Sequence, residues 1–396
     1  MKTWAIAAIS LLLAACAAGP AHMATAERDA IFRDSLFTPP AERISANDVF
    51  ALSPEMHRYL DTEIARAVRA KGTQHGLFDA LYDKGLLKLE YDGAMTRNAS
   101  QAFAARAGNC LSLVIMTAAF AKEMGMGVRY QNVFVDETWS RSGDFYLSIG
   151  HVNLTLGPRL IQHGQTEATM TIDFLPPSNL KGLATWSIDE STITAMYMNN
   201  RAVEALTVGN VNDAYWYARE AIVQDSRFLS GVNTLGVIYQ QHGDLQPAQA
   251  AFEYVLAREP GNTRSMSNLA SVLFARGQTV AAQVVMRKLD QLEPNPPFAY
   301  FKRGVAAMQA GDYRLAQQMF TKEVDRAAYY HEFQFWLALA YLGLGDTESA
   351  RTHLAMAEEN STTRDDRELY AAKLAHLNEH PQMVRDRPPP LPIRKR

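Results

Sequence analysis

Three residues of the types that perform nucleophilic acyl transfer follow one another in the chain: Cys110, His151 and Asp173. A thiolate can attack a carbonyl carbon, an imidazole can accept and return the proton, and a carboxylate can orient the imidazole. Cys110 is one of only two cysteines, and the other is Cys16 near the start. Two roles stay open for this thiol on residue type alone: a small packed hydrophobe or a nucleophile.

The segment around Cys110 predicts a helix that begins at the cysteine. Asn109 is a good N-cap residue, and Gly125 is suited to end the helix. No charged residue lies between Cys110 and Ala121, so we expect both faces of the helix to be buried. The positive end of the helix dipole stabilises negative charge in the first turn, and the position therefore favours a thiolate.

Downstream of this helix, the other two groups lie in segments with strand character, at residues 128–135, 145–156 and 168–175. Alternate side chains of a strand share a face, so His151 and Asn153 lie together on the second segment. If the third strand is its neighbour, His151 and Asp173 can meet on one face of the sheet. Each residue taken singly also has ordinary structural roles. His163 and Asp136 are loop residues of the same types, which we rank lower.

The segments GNCLSLV, GHVNLTL and TIDF, in that order, resemble the transglutaminase-like superfamily of papain-type cysteine enzymes. The resemblance extends over residues 45–190 and implies an α+β papain/transglutaminase-like domain, with helices first and a short antiparallel sheet after them. It implies that Cys110 is the nucleophile, His151 the general base and then acid, and Asp173 the group that orients the imidazole. Asn153 departs from the family, many of whose members have an aromatic residue at that place.

The activity that this resemblance implies is acyl transfer through a thioester on Cys110. Water as the acceptor makes the protein a cysteine peptidase or amidase, which we favour, and an amine makes it a transglutaminase-like crosslinker. The residues imply no cofactor and no metal. The backbone N–H of Cys110 is the one oxyanion donor that the sequence suggests. The second hypothesis is a catalytically silent copy of the fold, which acts as a periplasmic scaffold or assembly factor through the second half of the chain.

The second half repeats with a period of 34 residues. Glycine and alanine recur at this step in two columns: Gly209, Gly243, Gly277, Gly311 and Gly345; Ala214, Ala248, Ala282, Ala316 and Ala350. The repeats resemble the tetratricopeptide repeat, with Leu235, Gly236, Tyr239, Ala248, Phe252 and Pro260 at its signature positions. We therefore predict an all-α solenoid of five repeats over residues 193–364, a capping helix over 365–380 and a Pro-rich basic tail over 381–396.

Solenoids of this kind present a concave surface that suits a protein or peptide ligand. The positions that we expect near this surface are Asn200, Asn268, Phe298, Phe301, Lys302 and Phe335. For the aromatic residues, packing between helices remains the alternative role.

The first residues resemble a bacterial lipoprotein signal peptide. The apolar stretch over residues 4–15 is too short to span a bilayer, and Leu13-Ala14-Ala15-Cys16 resembles a lipobox. This implies a signal peptide over 1–15, a lipid on Cys16 and a linker over 16–44. Ordinary secretory cleavage nearby is the alternative. Ala17 rather than aspartate at the next position favours the outer membrane, with the protein facing the periplasm.

The composition limits the number of domains and the class of partner. The chain has 396 residues, of which 47% are hydrophobic, and this is enough for two or three packed domains. Its net charge of -3 gives no reason to expect a nucleic-acid partner. The sequence contains no glycine-rich phosphate-binding loop, and no cluster of metal ligands stands out.

Overall fold

The computed structural model describes residues 23–82, 89–93, 95–142, 145–158, 169–174 and 184–379. Several predictions fall outside these residues: the signal peptide over 1–15, the lipid on Cys16, His163 and the tail over 381–396. Asp136 was predicted to lie in a loop, but its backbone belongs to the strand Gly127–Ser142; its side chain is outside the described part. Within the described ranges, every helix is too short or too polar to cross a membrane.

The first part of the chain combines short helices with a small sheet. Its helices are α1 (Thr25–Ile31), α2 (Pro54–Tyr59), α3 (Ala65–Lys71), α4 (Thr73–Tyr82), α5 (Ala99–Ala105) and α6 (Cys110–Glu123), and a π-helical turn over Leu60–Ile64 joins α2 to α3. Its strands are β1 (Glu90–Tyr91), β2 (Ala107–Gly108), β3 (Gly127–Ser142), β4 (Phe145–Gly157), β5 (Met170–Ile172) and β6 (Thr185–Ile188).

Four of these strands form an antiparallel sheet in the order β5-β4-β3-β6. Strand β3 is longer than the predicted residues 128–135, and its pairing with β4 shifts register between Val133 and Thr138. Strand β5 is shorter than the predicted residues 168–175, and it ends immediately before Asp173. Strand β6, whose side chains are largely exposed, was not predicted, because its short segment has little apolar alternation.

Helix α6 is the centre of the first core. Every residue from Cys110 to Ala121 is buried, which confirms the prediction from the absence of charge. The helix packs among side chains of the preceding helices and of the sheet, including Leu77, Leu154 and Ile172. Since charged groups are rarely accommodated in such a core without partners, the uncharged sequence of α6 follows from its position.

The second part is a run of paired helices. The pairs are α7 (Glu190–Thr207) with α8 (Val211–Gln224), α9 (Leu229–His242) with α10 (Leu245–Arg258), α11 (Thr263–Ala275) with α12 (Thr279–Leu292), α13 (Ala299–Gln309) with α14 (Tyr313–Arg326), and α15 (His331–Gly343) with α16 (Thr347–Glu359); α17 (Arg364–Glu379) follows them. The predicted all-α solenoid is confirmed. Each glycine of the 34-residue column lies in the turn within a pair and has a positive φ, between +75° and +101°, which glycine adopts without strain.

The solenoid core is divided after the third pair. One hydrophobic cluster reaches Ala282, and the next begins at Phe298. Ala282 is the only buried residue of α12, and Val280 and Val284 on this helix are exposed. The chain enters α13 through Phe298, which has a left-handed φ of 62°.

The described part of the predicted linker over residues 16–44 is a packed segment and not a loose connection. Phe37 stacks on Tyr215 with ring centroids 4.0 Å apart, and the Met23 backbone N–H donates to Ser226 Oγ at 2.9 Å. Asp34 Oδ1 accepts from the Tyr215 hydroxyl at 2.6 Å. The linker prediction was wrong for these residues because isolated aromatic anchors have no periodicity that marks them in a sequence.

Helix α7 connects the two parts physically. Its side chains Ile193, Tyr197 and Met198 belong to the core around α6, whereas Ala202 and Leu206 belong to the first solenoid core. A second contact lies farther along the chain, where the Gly93 backbone N–H donates to the Thr362 carbonyl at 2.9 Å. The predicted boundary near residue 190 is therefore a change of architecture within one packed body.

Candidate active site

The structure brings Cys110, His151 and Asp173 together. Asp173 Oδ1 lies 2.7 Å from His151 Nε2, and the Cys110 thiol lies near enough to the imidazole to help raise the pKa of His151. Because Nε2 is engaged by the carboxylate, Nδ1 is the ring nitrogen left for the thiol. Cys110 is 8% exposed and His151 is 4% exposed, so the contact is largely shielded from water.

A cap at the start of α6 positions Cys110. Asn109 Oδ1 accepts from the Ser112 backbone N–H at 2.9 Å and from Ser112 Oγ at 2.8 Å. The Asn109 amide donates to Thr96 Oγ1 at 2.9 Å, and this ties the cap to the preceding segment. Gly108 has no room for a side chain, because a Cβ there would lie 2.7 Å from Ser112 Cβ. The thiol is thus held in the first turn of a 14-residue helix.

Strand pairing positions the other two residues. Strand β4 pairs with β5, with Leu154 opposite Ile172. The next residue, Asp173, therefore lies on the side of the sheet that carries His151. Asn153, which shares that face, donates from Nδ2 to Asp173 Oδ2 at 2.8 Å. The two carboxylate oxygens are therefore divided between the imidazole and the amide. Asn153 thus holds the carboxylate of Asp173, a role that the sequence did not reveal.

The protonation of His151 follows from these contacts. Burial by itself lowers the pKa of an imidazole, but the hydrogen bond with Asp173 and the interaction with the nearby Cys110 outweigh it and raise the pKa of His151 to about 9. The imidazolium form is therefore retained at neutral pH and is lost as the pH rises through about 9. A positive imidazolium beside the sulfur is the partner that a thiolate requires.

The residues predicted for partner binding are mostly engaged within the chain. Asn200 donates to Thr96 Oγ1 at 3.2 Å, beside the cap of α6, and Asn268 donates to Asn233 Oδ1 at 3.2 Å. The three predicted aromatic contacts are buried in the last hydrophobic core: Phe298, Phe301 and Phe335. Lys302 is exposed. The structure thus gives the aromatics the packing role that the sequence had left open, because these side chains point into the helix stack.

Comparison with known proteins concerns the second half of the chain. Two models of the tetratricopeptide repeat match residues 239–303 and 301–364, so the C-terminal region is a tetratricopeptide-repeat solenoid. The putative cellulose synthase operon protein C of Escherichia coli O157:H7 is 34% identical over 87 residues, and cellulose synthase operon protein C of strain K12 is 33% identical over 94 residues. These segments are 22% and 24% of this chain, but only 8% of the length of each relative.

Similar solved structures include a thermophilic tetratricopeptide-repeat protein of Thermus thermophilus, with 19% identity and a TM-score of 0.29 over 46% of this chain and 99% of that one. Another is YrrB, described as a tetratricopeptide-repeat protein with an unusual peptide-binding site, with 20% identity and a TM-score of 0.25 over 45% of this chain and 92% of that one.

Proposed function

We propose that this protein is a cysteine-dependent acyl-transfer enzyme of the transglutaminase-like, papain-type class, acting as a peptidase or amidase. The observation that carries the proposal is the hydrogen bond of 2.7 Å between His151 Nε2 and the Asp173 carboxylate, with the Cys110 thiol near enough to the imidazole to raise its pKa. Thiol, base and orienting group in this order are what nucleophilic acyl transfer needs.

In the proposed reaction, the Cys110 thiolate attacks the carbonyl carbon of an amide, and the carbonyl π electrons move to oxygen. The His151 imidazolium then donates its proton to the departing nitrogen as the C–N bond breaks, which leaves a thioester on Cys110. Neutral His151 takes a proton from the acceptor, water in hydrolysis or an amine in transamidation. The acceptor's attack breaks the C–S bond, so the acyl group is released, the sulfur leaves as the thiolate and the proton taken from the acceptor stays on His151. Asp173, fixed by Asn153, keeps the imidazole in the orientation that both steps require.

The test is formation of the thioester with 4-nitrophenyl acetate, a generic acyl donor. We expect the full-length protein to release nitrophenolate in a burst and to carry one acetyl group on the Cys110 peptide. General acid–base assistance predicts acetylation about a hundredfold faster than that of a small peptide thiol at pH 7. The Cys110→Ser variant is the matched control and should lose the burst. Acetylation of Cys110 no faster than that of the peptide thiol would contradict the enzyme and favour the silent scaffold.

The solenoid adds the second half of the proposal. Tetratricopeptide-repeat solenoids are surfaces for protein or peptide partners. Helix α7 packs on the core around α6, and Asn200 on this helix reaches the Thr96 hydroxyl that also holds the Asn109 cap. We infer that the solenoid holds a protein or peptide partner beside the acyl-transfer site, in the same packed body.

The lipid anchor remains a proposal from the sequence. If Cys16 is acylated, two or more chains hold the protein firmly at the membrane, whereas a single chain does so only weakly. We expect wild-type protein in the membrane fraction and the Cys16→Ser variant in the soluble fraction, with Ala18→Ser as the matched control. Membrane association of Cys16→Ser that still requires detergent for release would contradict the anchor.

A further inference from the structure

Thr96 joins the helix that carries the nucleophile to the first helix of the solenoid, and the proposed reaction gives it no role so far. The residue is 1% exposed. Its Oγ1 accepts from the side-chain amide of Asn109 at 2.9 Å and from the side-chain amide of Asn200 at 3.2 Å. A hydroxyl oxygen has two acceptor sites, so both are taken by side chains from two different parts of the protein.

The bond to Thr96 sets the orientation of the Asn109 amide. Because the N–H end of this amide faces Thr96 Oγ1, its Oδ1 end faces the first turn of α6. There Oδ1 accepts from the Ser112 backbone N–H at 2.9 Å and from Ser112 Oγ at 2.8 Å. An amide turned the other way would place its donors against the Ser112 N–H, and the helix would lose its N-cap.

Thr96 is itself held by two residues of α7 that lie one helical turn apart. Asn200 binds the hydroxyl, and Glu204 Oε1 accepts from the Thr96 backbone N–H at 2.6 Å. The second carboxylate oxygen of Glu204 accepts from Arg201 Nη1 at 2.7 Å. Side chains four residues apart share a face of a helix, so α7 presents the amide and the carboxylate to Thr96 together.

The cap that Thr96 aligns belongs to the turn that contains Cys110. The positive end of a helix dipole favours a thiolate while the backbone N–H groups of the first turn keep their helical geometry. The same geometry fixes the direction in which the Cys110 side chain leaves the helix. A change at Thr96 should therefore reach the sulfur through Asn109 alone.

We propose that Thr96 is a positioning residue for Cys110: it aligns Asn109 as the N-cap of α6, and α7 holds it in place through Asn200 and Glu204. Thr96 acts through the cap and not on the reacting atoms. The solenoid thereby has a role inside the site, in addition to its partner surface. The inference rests on the proposed function, because it assigns this cap to the nucleophile.

A pair of substitutions separates the hydroxyl from the shape of the side chain. Thr96→Val in the full-length protein keeps the shape and removes the acceptor of the Asn109 amide. It should slow alkylation of Cys110 by iodoacetamide at pH 6 about fivefold, as the loss of one N-cap suggests, and move the midpoint of the pH profile upward. Thr96→Ser keeps the hydroxyl and should restore the rate to within roughly twofold of the wild type. Mass spectrometry of the Cys110 peptide gives each rate.

Thr117→Val is the matched control. Thr117 is a fully buried threonine of the same helix, and its hydroxyl donates to the Leu113 carbonyl at 2.7 Å, away from the cap. This variant should lower the melting temperature as Thr96→Val does, but leave the alkylation rate and its pH profile as in the wild type.

Two further measurements test the cap and its support separately from the thiol. Amide hydrogen exchange of the peptide that contains Ser112 should become about fivefold faster in Thr96→Val, because the Ser112 N–H loses its acceptor, and stay unchanged in Thr96→Ser and Thr117→Val. Glu204→Leu removes the acceptor of the Thr96 backbone N–H. It should slow alkylation of Cys110 and speed this exchange in the same direction as Thr96→Val.

An alkylation rate of Thr96→Val equal to that of a reactive wild type would overturn the proposal and leave the proposed function standing. A fall that Thr96→Ser does not restore, or that Thr117→Val reproduces, would also overturn it, because the cause would then be a general loss of stability. Unchanged rates in Glu204→Leu would overturn the role of α7. A wild-type thiol no more reactive than a small peptide thiol, with exchange that still depends on Thr96, would overturn the proposed function and leave the cap assigned to Thr96.

Discussion

Replacing His151 with alanine is expected to slow the alkylation of Cys110 by iodoacetamide roughly thirtyfold at pH 6. A model thiol ionises near about 8.5, so about 0.3% of it is thiolate at pH 6. The proposed pairing with the His151 imidazolium favours the thiolate, and the lower intrinsic nucleophilicity of a paired thiolate offsets about tenfold of this advantage. The advantage that remains after this offset is the roughly thirtyfold slowing expected for His151→Ala.

The pH dependence of the alkylation rate tests the same effect independently. The pKa of His151 is raised to about 9, so the imidazolium assists the thiolate below that pH and is lost above it. The wild-type and His151→Ala rates should therefore differ most in acid and converge near pH 10, where an unassisted thiol ionises as well. The experiment records the alkylation rate of the Cys110 peptide at each pH from 5 to 10 in steps of about one unit.

Two further variants define the origin of the effect. Asp173→Ala should reduce the rate at pH 6 less than His151→Ala does, since the imidazole remains but loses its partner at 2.7 Å. His57→Ala is the matched control, because this exposed histidine lies beside Glu123 at the other end of α6. A wild-type profile that already coincides with the His151→Ala profile would show that Cys110 is a packed hydrophobe.

The Phe37→Ala variant is expected to lower the free energy of unfolding of the solenoid by about 3 kcal/mol, the usual cost of removing a buried aromatic ring. Phe37 is 5% exposed and stacks on Tyr215, with the ring planes 5° apart. Its loss opens a cavity next to Tyr239, whose ring centroid lies 6.0 Å away. The segment before residue 45 would then be held by the buried Met23 and Phe32 and by hydrogen bonds such as that from Tyr215 to Asp34.

Urea unfolding followed by circular dichroism at 222 nm, where helix dominates the signal, measures this change. Phe274→Ala is the matched control: the same side chain is removed from a position that is 43% exposed, and it should cost less than about 1 kcal/mol. An equally small cost for Phe37→Ala would mean that the segment before residue 45 is not packed on the solenoid in solution.

The features that sequence alone predicted are those whose signal is local. The uncharged stretch from Cys110 to Ala121 indicated a buried helix, and every one of these residues is buried. The 34-residue glycine column indicated repeated turns, and each of its glycines has a positive φ. Strand alternation placed His151 and Asn153 on one face. In each case the backbone geometry of a helix, turn or strand determines the spacing of residue types, so a short segment is enough to predict the element.

The features that only the tertiary structure decided are contacts between segments far apart in the chain. Asn153 could be assigned to the face of His151, but its bond to Asp173 depends on the pairing of β4 with β5. Tyr91 lies opposite Gly108 because β1 pairs with β2, and its two-residue strand has no pattern that indicates this pairing. Phe37 packs on Tyr215, which belongs to α8 and lies 178 residues farther along the chain. A residue's type and spacing determine which element it joins, but the partner that it meets depends on how the elements pack, which is set by the burial of the whole chain.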